Sequence, residues 1–355
     1  MSCVCTCHAR VFFIRLCSNR LNVSARKRAG NDTAHMTRRK FLSVGSGALA
    51  SVAISQVAFA NKKEEQIDAS WYQRSRRFAS LPMGRVAYVE HGRGKAALFL
   101  HGFPLNGYQW RGELRELHRY RRCIAPDLMG MGYSEIQDGQ SISPDAQVSM
   151  LSDLLNSLHV DAVDLLANDS GGLIAQLFVA RYPKRVRTLL LTNCDVDENN
   201  PPPRFLPAVE LAKKGLFADR FVFSQLNDKP LARSPKGLGG LSYTYPDRLS
   251  DETIEIYFRP LVESPLRKSQ LDRCVIGLGT NVLIPIRQDL RRWHGPTRMV
   301  WGLKDTFFPV EWADWLHRTL PGSRGVRRLE DANLFFPEEM PDVIAEEARK
   351  LWDVN

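Results

Sequence analysis

Short apolar segments rich in β-branched residues alternate with amphipathic helical patterns along most of the chain, and this alternation limits the possible folds more than any other feature. Strands separated by helices are typical of a mostly parallel sheet that is covered by helices on both faces. We predict strands at residues 85–90, 96–100, 123–126, 162–167, 186–192, 298–301 and 325–329. We predict helices at residues 144–158, 172–181, 310–319 and 341–352. The sequence therefore predicts an α/β fold.

The alternation is interrupted between residues 196 and 294, where the chain becomes polar and shows several short helical patterns. Nearly one hundred residues between two core strands are too many for a loop in a compact domain. We therefore predict a helical cap insertion at residues 196–294, between core segments at residues 61–195 and 295–355.

The net charge of +10 is concentrated near the N-terminus. Residues 1–60 hold nine of the 49 Lys and Arg residues and one of the 39 Asp and Glu residues, which leaves 40 basic and 38 acidic residues downstream. A nearly balanced body lacks the basic surface that polyanions require. We therefore expect no nucleic acid partner.

Two adjacent arginines, Arg38 and Arg39, precede an apolar run at residues 43–58, which ends in a small-x-small cleavage pattern at Ala60. This arrangement resembles a twin-arginine export signal. The apolar run is too short and too weakly hydrophobic for a helix that spans a bilayer. We therefore predict a cleaved signal peptide at residues 36–60, a periplasmic or secreted location, and no membrane association after cleavage.

The signal pattern starts at Met36, so we predict that residues 1–35 are an over-long start. Cleavage of the signal would leave three cysteines, Cys123, Cys194 and Cys274. An odd number of cysteines gives no disulfide framework. We therefore expect at least one free and buried thiol.

The strongest chemical signal lies at residues 165–174, where a buried strand runs directly into a helix through Asp169. A small residue, Ala167, stands two positions before Asp169, and Gly171 stands two positions after it. A nucleophile elbow needs small residues at these positions, because its central residue adopts a strained backbone conformation and bulky neighbours would clash. The pattern therefore predicts that Asp169 is a nucleophile.

Two alternatives to this interpretation remain. An aspartate before a Gly-Gly helix start is also a plain N-cap. Ser170 is a rival nucleophile, but a turn centred on Ser170 would put Asn168 where the elbow requires a small residue. The steric rule favours Asp169.

Two further motifs follow predicted strands: His-Gly-Phe-Pro at residues 101–104 and Asp-Leu-Met-Gly-Met-Gly-Tyr-Ser at residues 127–134. Together with the elbow, they resemble the α/β-hydrolase superfamily, specifically the branch of epoxide hydrolases and haloalkane dehalogenases. The resemblance extends over residues 85–352. It implies an α/β-hydrolase fold with a helical cap, and an oxyanion hole formed by the backbone N–H groups of Phe103 and Ser170.

The resemblance also implies an acid and a histidine. Asp305 matches the acid that orients the histidine, and Asp195 is the alternative, because some relatives carry the acid after the earlier strand. We expect Asp169 and Asp305 at the carboxyl ends of neighbouring strands, facing one pocket. Leu334 occupies the position of the histidine, and no histidine follows His317.

The residues at the positions that assist the leaving atom also differ from those of the relatives. Dehalogenases of this branch usually bind the halide with a Trp after the nucleophile and a donor in the His-Gly turn, and here these positions hold Ser170 and Phe103. Epoxide hydrolases protonate the epoxide oxygen with cap tyrosines. Tyr243, Tyr245 and Tyr257 are the candidates for this role, although cap tyrosines are more often packing residues.

These features predict a hydrolase of small apolar organic substrates, such as epoxides, haloalkanes or esters, with Asp169 as the nucleophile. A carboxylate attacks carbon without prior deprotonation, whereas hydrolysis of the resulting ester needs a general base. The missing histidine favours a competing hypothesis, a non-catalytic protein that binds small molecules, and a serine esterase that uses Ser170 is a third. No metal-ligand cluster or phosphate-binding glycine loop occurs in the sequence, so we expect no cofactor.

Overall fold

The computed structural model describes residues 67–354, so the predicted over-long start and export signal lie outside the described residues. Within the described part of the chain, no helix is long and apolar enough to cross a membrane. Cys123, Cys194 and Cys274 are all buried and free, which confirms the expectation from the odd cysteine count.

Nine strands form one sheet in the described residues. The strands are β1 Arg77–Leu81, β2 Gly84–His91, β3 Ala96–Leu100, β4 Arg122–Pro126, β5 Glu135–Ile136, β6 Val163–Asp169, β7 Val186–Cys194, β8 Thr297–Gly302 and β9 Ser323–Leu329. Their order across the sheet is β1-β2-β4-β3-β6-β7-β8-β9, with β5 beside β2. The strands from β4 to β9 along this order are parallel, and β2 is antiparallel to β1, β4 and β5. The mostly parallel sheet is therefore confirmed.

Two strands, β1 and β5, are missing from the sequence prediction. Only one of the five side chains of β1 is buried, and β5 contains only two residues. Neither strand contains an apolar run, so periodicity carries no signal for them. Both lie in the antiparallel part of the sheet, where one face can remain in contact with water.

Fourteen α-helices of the described chain lie between and around the strands. They are α1 Ala69–Ser75, α2 Arg111–Leu117, α3 Pro144–Ser157, α4 Ser170–Arg181, α5 Leu206–Lys213, α6 Ser224–Asn227, α7 Lys229–Arg233, α8 Leu238–Ser242, α9 Asp251–Val262, α10 Pro265–Leu278, α11 Arg287–Arg292, α12 Glu311–Thr319, α13 Phe336–Glu339 and α14 Pro341–Leu351. The four predicted helices correspond to α3, α4, α12 and α14, and each bound agrees within two residues.

Helix α4 packs closely against the sheet. Its first ten residues are buried, and it packs against β6, β7 and α3. The approach to β7 depends on Gly172, because a Cβ there would lie 2.3 Å from Cβ of Cys194. Close packing of α4 on β7 therefore requires glycine at this position.

Helices α5 to α11 lie between β7 and β8, in the stretch where the sequence predicts the cap insertion. Serine side chains cap the N-termini of α9 and α10: Oγ of Ser250 accepts from the N–H of Thr253, and Oγ of Ser264 accepts from the N–H of Arg267. The buried Arg267 of α10 donates to the carbonyl oxygens of Gly132 and Ser134 in the core. A charged guanidinium that is buried needs such partners, so this contact fastens the cap to the core.

We expect Gly172→Ala to reduce the free energy of unfolding by about 1–3 kcal/mol, because the new methyl group overlaps Cys194. Gly277→Ala in α10 is the matched control, since its nearest neighbour would lie at 3.7 Å. The control should be neutral or stabilising by up to about 1 kcal/mol. Urea unfolding of both variants tests this, and equal effects would contradict the close approach of α4.

Candidate active site

Strand β6 passes into α4 through Asp169, whose backbone has φ 53° and ψ −129°. Such a conformation costs a residue with a side chain about 1–3 kcal/mol, and this kind of strain is concentrated at functional sites. Gly171 avoids a clash in the turn, because a Cβ there would lie 2.4 Å from the carbonyl oxygen of Leu100. The strained turn is centred on Asp169, and Ser170 is the first residue of α4.

Backbone N–H groups hold the carboxyl group of Asp169. The N–H of Phe103 donates to Oδ2 of Asp169 at 2.8 Å, and the N–H of Ser170 also hydrogen-bonds this carboxyl group. The loop after β3 approaches closely, since a Cβ at Gly102 would lie 2.9 Å from Oδ2 of Asp169 and 2.7 Å from the ring of Phe335. Both N–H groups of the predicted oxyanion hole therefore point at Asp169.

A cavity of about 250 Å³ adjoins Asp169 and lies between the sheet and the cap. Most of its lining is apolar, and the cap contributes Leu211, Phe217, Phe221, Leu238, Leu241 and Leu278. Five polar side chains complete the lining: Asp169, Ser170, Asp195, Arg204 and Ser242. A largely apolar cavity with a few polar groups suits a small organic molecule.

Asp195 lies beside Asp169 at the same edge of the sheet. The parallel register of β6 and β7 pairs Asp169 with Cys194, and Asp195 follows directly. Nδ2 of Asn200 donates to Oδ1 of Asp195 at 3.0 Å. Burial raises the pKa of Asp195 to about 7. Burial also raises the pKa of Asp169 well above its usual value, and the Asp195 carboxylate raises it further.

The expectation for Asp305 is wrong in two respects. Strand β7 separates β6 from β8, so Asp169 and Asp305 do not follow neighbouring strands. Asp305 is also absent from the cavity lining. Its carboxyl group accepts hydrogen bonds from Nδ2 of Asn193 at 2.8 Å and from the N–H of Phe307 at 2.7 Å, and burial raises its pKa to about 6. The residue expected as the alternative acid, Asp195, is the one that reaches the cavity.

Leu334, at the position expected for histidine, is buried and lines the cavity. No histidine of residues 67–354 lines it. His101 lies in the loop near Asp169, but Gly102 and Leu128 occupy both of its ring nitrogens at 2.9 and 3.0 Å. Burial lowers the pKa of His101. The described chain therefore provides no imidazole in the cavity.

The cap tyrosines do not fill the role considered for them. The hydroxyl groups of Tyr243 and Tyr257 donate to Oε2 of Glu338 at 2.6 and 3.0 Å, and Tyr245 is exposed. None of the three lines the cavity. The hydroxyl groups of Tyr243 and Tyr257 instead join the cap to Glu338, which also pairs with Arg111 of the core at 2.7 Å.

The structure adds an observation on Ser170 and places a residue in the cavity, Arg204, that the sequence analysis did not single out. The hydroxyl group of Ser170 is buried and has no hydrogen-bond partner among the described residues. Arg204, which is exposed, lies over the ring of Phe307 at 5.5 Å and is the basic residue of the lining. The sequence carries no signal for Arg204, because its place in the lining depends on where the cap lies over the sheet.

The described residues offer no metal centre. No group of three His, Cys, Asp or Glu side chains in residues 67–354 could hold a metal ion. The buried acids Asp169, Asp195 and Asp305 do not form such a group.

Comparisons with known proteins agree with the fold. The family profile described as "alpha/beta hydrolase fold" matches residues 96–338. Haloalkane dehalogenase 2 of Mycobacterium tuberculosis is 26% identical over 78% of this chain and 92% of its own, and epoxide hydrolase 4 of Homo sapiens is 27% identical over 73% of each. A shorter match, 36% identical, covers 28% of this chain and 37% of 2-hydroxy-6-oxo-2,4-heptadienoate hydrolase of Pseudomonas putida. The crystal structure of a haloalkane dehalogenase DbeA loop variant from Bradyrhizobium elkanii superimposes with a TM-score of 0.64 at 23% identity, over 79% of this chain and 97% of that one.

We expect Asp195→Asn to gain stability relative to the wild type as the pH rises. The folded protein raises the pKa of Asp195 from 3.8 to about 7, so between these values folding retains a proton that the unfolded chain releases. Wild-type stability therefore falls across this window, and asparagine removes that loss. At about 1.4 kcal/mol per pKa unit, the difference should grow by a few kcal/mol between about pH 4 and pH 8.

Denaturant unfolding across this pH range measures the difference. Asp305→Asn is the matched comparison, and its gain should be complete about one pH unit earlier, because the pKa of Asp305 is raised to about 6. If the difference in stability between Asp195→Asn and the wild type did not change with pH, the folded protein would not raise the pKa of Asp195.

Proposed function

The chain belongs to the α/β-hydrolase fold family, and from this premise we propose that it hydrolyses small, largely apolar organic molecules through an ester with Asp169. The observation that carries the proposal is the position of Asp169. Its backbone is strained, and its carboxyl group adjoins an apolar cavity and accepts a hydrogen bond from the N–H of Phe103. Its relatives by sequence include a haloalkane dehalogenase and an epoxide hydrolase. Epoxides, haloalkanes and activated esters are therefore the substrate classes to test.

In the proposed first step, a carboxylate oxygen of Asp169 attacks an electrophilic carbon of the substrate. The bond from that carbon to the halogen or epoxide oxygen breaks, and the leaving atom takes the electron pair. With an activated ester, attack at the acyl carbon expels the phenoxide and leaves a mixed anhydride at Asp169 in place of the alkyl ester. The N–H of Phe103 holds one carboxylate oxygen in place before the attack. When water later adds to the ester, the same donor can stabilise the negative charge that develops on oxygen.

The Ser170 hydroxyl group is suited to assist the leaving atom. It is buried, lines the same cavity as Asp169 and has no partner among the described residues. A buried hydroxyl group without a partner costs free energy, which a substrate with an acceptor atom would recover. In this proposal Ser170 assists the leaving atom in place of Tyr243 and Tyr257, whose hydroxyl groups donate to Glu338.

A second candidate function is the binding of a small molecule without turnover. Leu334 favours it, because the side chain at that position cannot accept a proton from water. A pocket that lost its base would still bind the same class of molecules, since most of its lining is apolar. The two candidates differ in whether product or a covalent adduct forms.

We expect Asp169→Asn to abolish both product and covalent adduct when the protein is incubated with styrene oxide, butyl bromide or a nitrophenyl ester. An amide is a far weaker nucleophile than a carboxylate, although it keeps the size and the hydrogen bond from Phe103. Product analysis together with intact-protein mass measurement follows both outcomes.

Ser170→Ala is the matched control for the rival nucleophile. It should keep adduct formation at Asp169 and slow it by about tenfold, the effect of about one hydrogen bond. Turnover that survives Asp169→Asn and is lost in Ser170→Ala would transfer the nucleophilic role to Ser170. Binding of these probes without product or adduct would favour the non-catalytic function.

We also propose that residues 36–60 direct export, because Arg38 and Arg39 precede an apolar run and a small-x-small site. Protein recovered from the cell envelope of the native host is expected to begin at or near Asn61. N-terminal sequencing measures this, and a Lys pair at positions 38 and 39 should block export. Full-length protein that accumulates in the cytosol would contradict the proposal.

A further inference from the structure

Hydrolysis of an ester at Asp169 needs a group that accepts a proton from water. Three ionisable side chains line the cavity in the described residues: Asp169, Asp195 and Arg204. Asp169 is consumed by the ester, and a guanidinium cannot accept a proton near neutral pH. Asp195 is the remaining group.

The geometry of Asp195 suits this task. Its position directly after Cys194, the register partner of Asp169, puts the two carboxyl groups on adjacent strand ends. Both carboxyl groups line the same cavity. Nδ2 of Asn200 holds Oδ1 of Asp195 at 3.0 Å, which leaves Oδ2 for a water molecule next to the ester.

The electrostatics change in the required direction when the ester forms. Before the reaction, Asp195 raises the pKa of Asp169, so the two buried groups resist being ionised together. The ester removes the charge of Asp169. Asp195 can then ionise without that repulsion, and a base with a pKa of about 7 is well matched to neutral pH.

We propose that Asp195 is the general base that activates the hydrolytic water, in place of the histidine that Leu334 replaces. This inference rests on the proposed function, because it requires an ester at Asp169. The family resemblance implies an imidazole as the base, with an acid that orients it. In this proposal the Asp195 carboxylate accepts the proton itself.

The proposed step balances as follows. Asp195 takes one proton from water while the water oxygen bonds to the carbonyl carbon of the ester, and the oxyanion forms near the N–H of Phe103. The bond from this carbon to the alcohol oxygen then breaks, and Asp195 returns its proton to the departing alcohol. Asp169 is left as a carboxylic acid and loses its proton to solvent.

Asp195→Asn tests the proposal with styrene oxide and butyl bromide as probes. The wild type should release product without a lasting mass increment. The variant should form the increment and release it at least about hundredfold more slowly, because general-base assistance contributes two to four orders of magnitude. Asp197→Asn is the matched control, since it makes the same change two residues away, outside the cavity lining.

The rate of product release in a single turnover can be measured on the wild type, so this test does not require any variant to fold. The rate should rise with pH through an ionisation near 7. Asp169, Asp305, Cys194 and Asn200 interact with Asp195, and Arg204 lines the same cavity. Of these groups only the esterified Asp169 changes charge in the reaction. A release rate that is flat between about pH 5 and pH 8 would overturn the proposal.

Three further outcomes separate this inference from the proposed function. Rapid release by Asp195→Asn without an increment would move the base to another residue and overturn the inference. A permanent increment on the wild type would overturn it as well, while it would leave Asp169 as the nucleophile. The absence of both product and increment in the wild type with every probe would overturn the proposed function itself.

Discussion

The buried carboxamide of Asn168 is the interaction on which the geometry of the site depends. Its Nδ2 donates to the carbonyl oxygens of Asn193 and Leu334 at 3.2 and 3.1 Å, and its Oδ1 accepts from Nε2 of Gln109 at 2.7 Å. Gln109 in turn accepts the N–H of Gly102 at 2.8 Å. One amide therefore fixes the end of β7, the loop after β9 and the loop after β3 around the elbow. A buried network with every member satisfied is rigid, because each broken bond would leave a polar group without a partner.

This rigid frame surrounds three buried acids. Burial raises the pKa of Asp169, Asp195 and Asp305, and the described part of the chain provides no imidazole in the cavity to balance them. Asn193 donates a hydrogen bond to Asp305, which lies outside the cavity lining, whereas Asp169 and Asp195 line the cavity. Two carboxyl groups that resist simultaneous ionisation are suited to act in sequence, one as nucleophile and one as proton acceptor.

The sequence predicts the parts of this site that follow from local chemistry. Small residues around Asp169 and the strand-to-helix pattern locate the elbow, because steric limits in a tight turn act between neighbours in the chain. The register that sets Asp195 beside Asp169 depends on how β6 and β7 align, which no local pattern encodes. The contacts of Tyr243 and Tyr257 could not be predicted for the same reason, since their partner Glu338 lies about 80 to 95 residues away in the chain. The two missed strands fail differently, because β1 and β5 bury too little apolar surface to leave a pattern.

The contacts of Glu338 secure one part of the cap to the core. Glu338 receives two tyrosine hydroxyl groups of the cap and an arginine of the core, and its side chain is only 4% exposed. Lining residues near the start of α5, including Arg204 and Pro207, are exposed instead. Arg204 is therefore a charged side chain at the solvent-exposed part of the cavity lining. A guanidinium in this position attracts anions and repels cations, so the affinity of the cavity for charged molecules would depend on the sign of their charge and on the salt concentration.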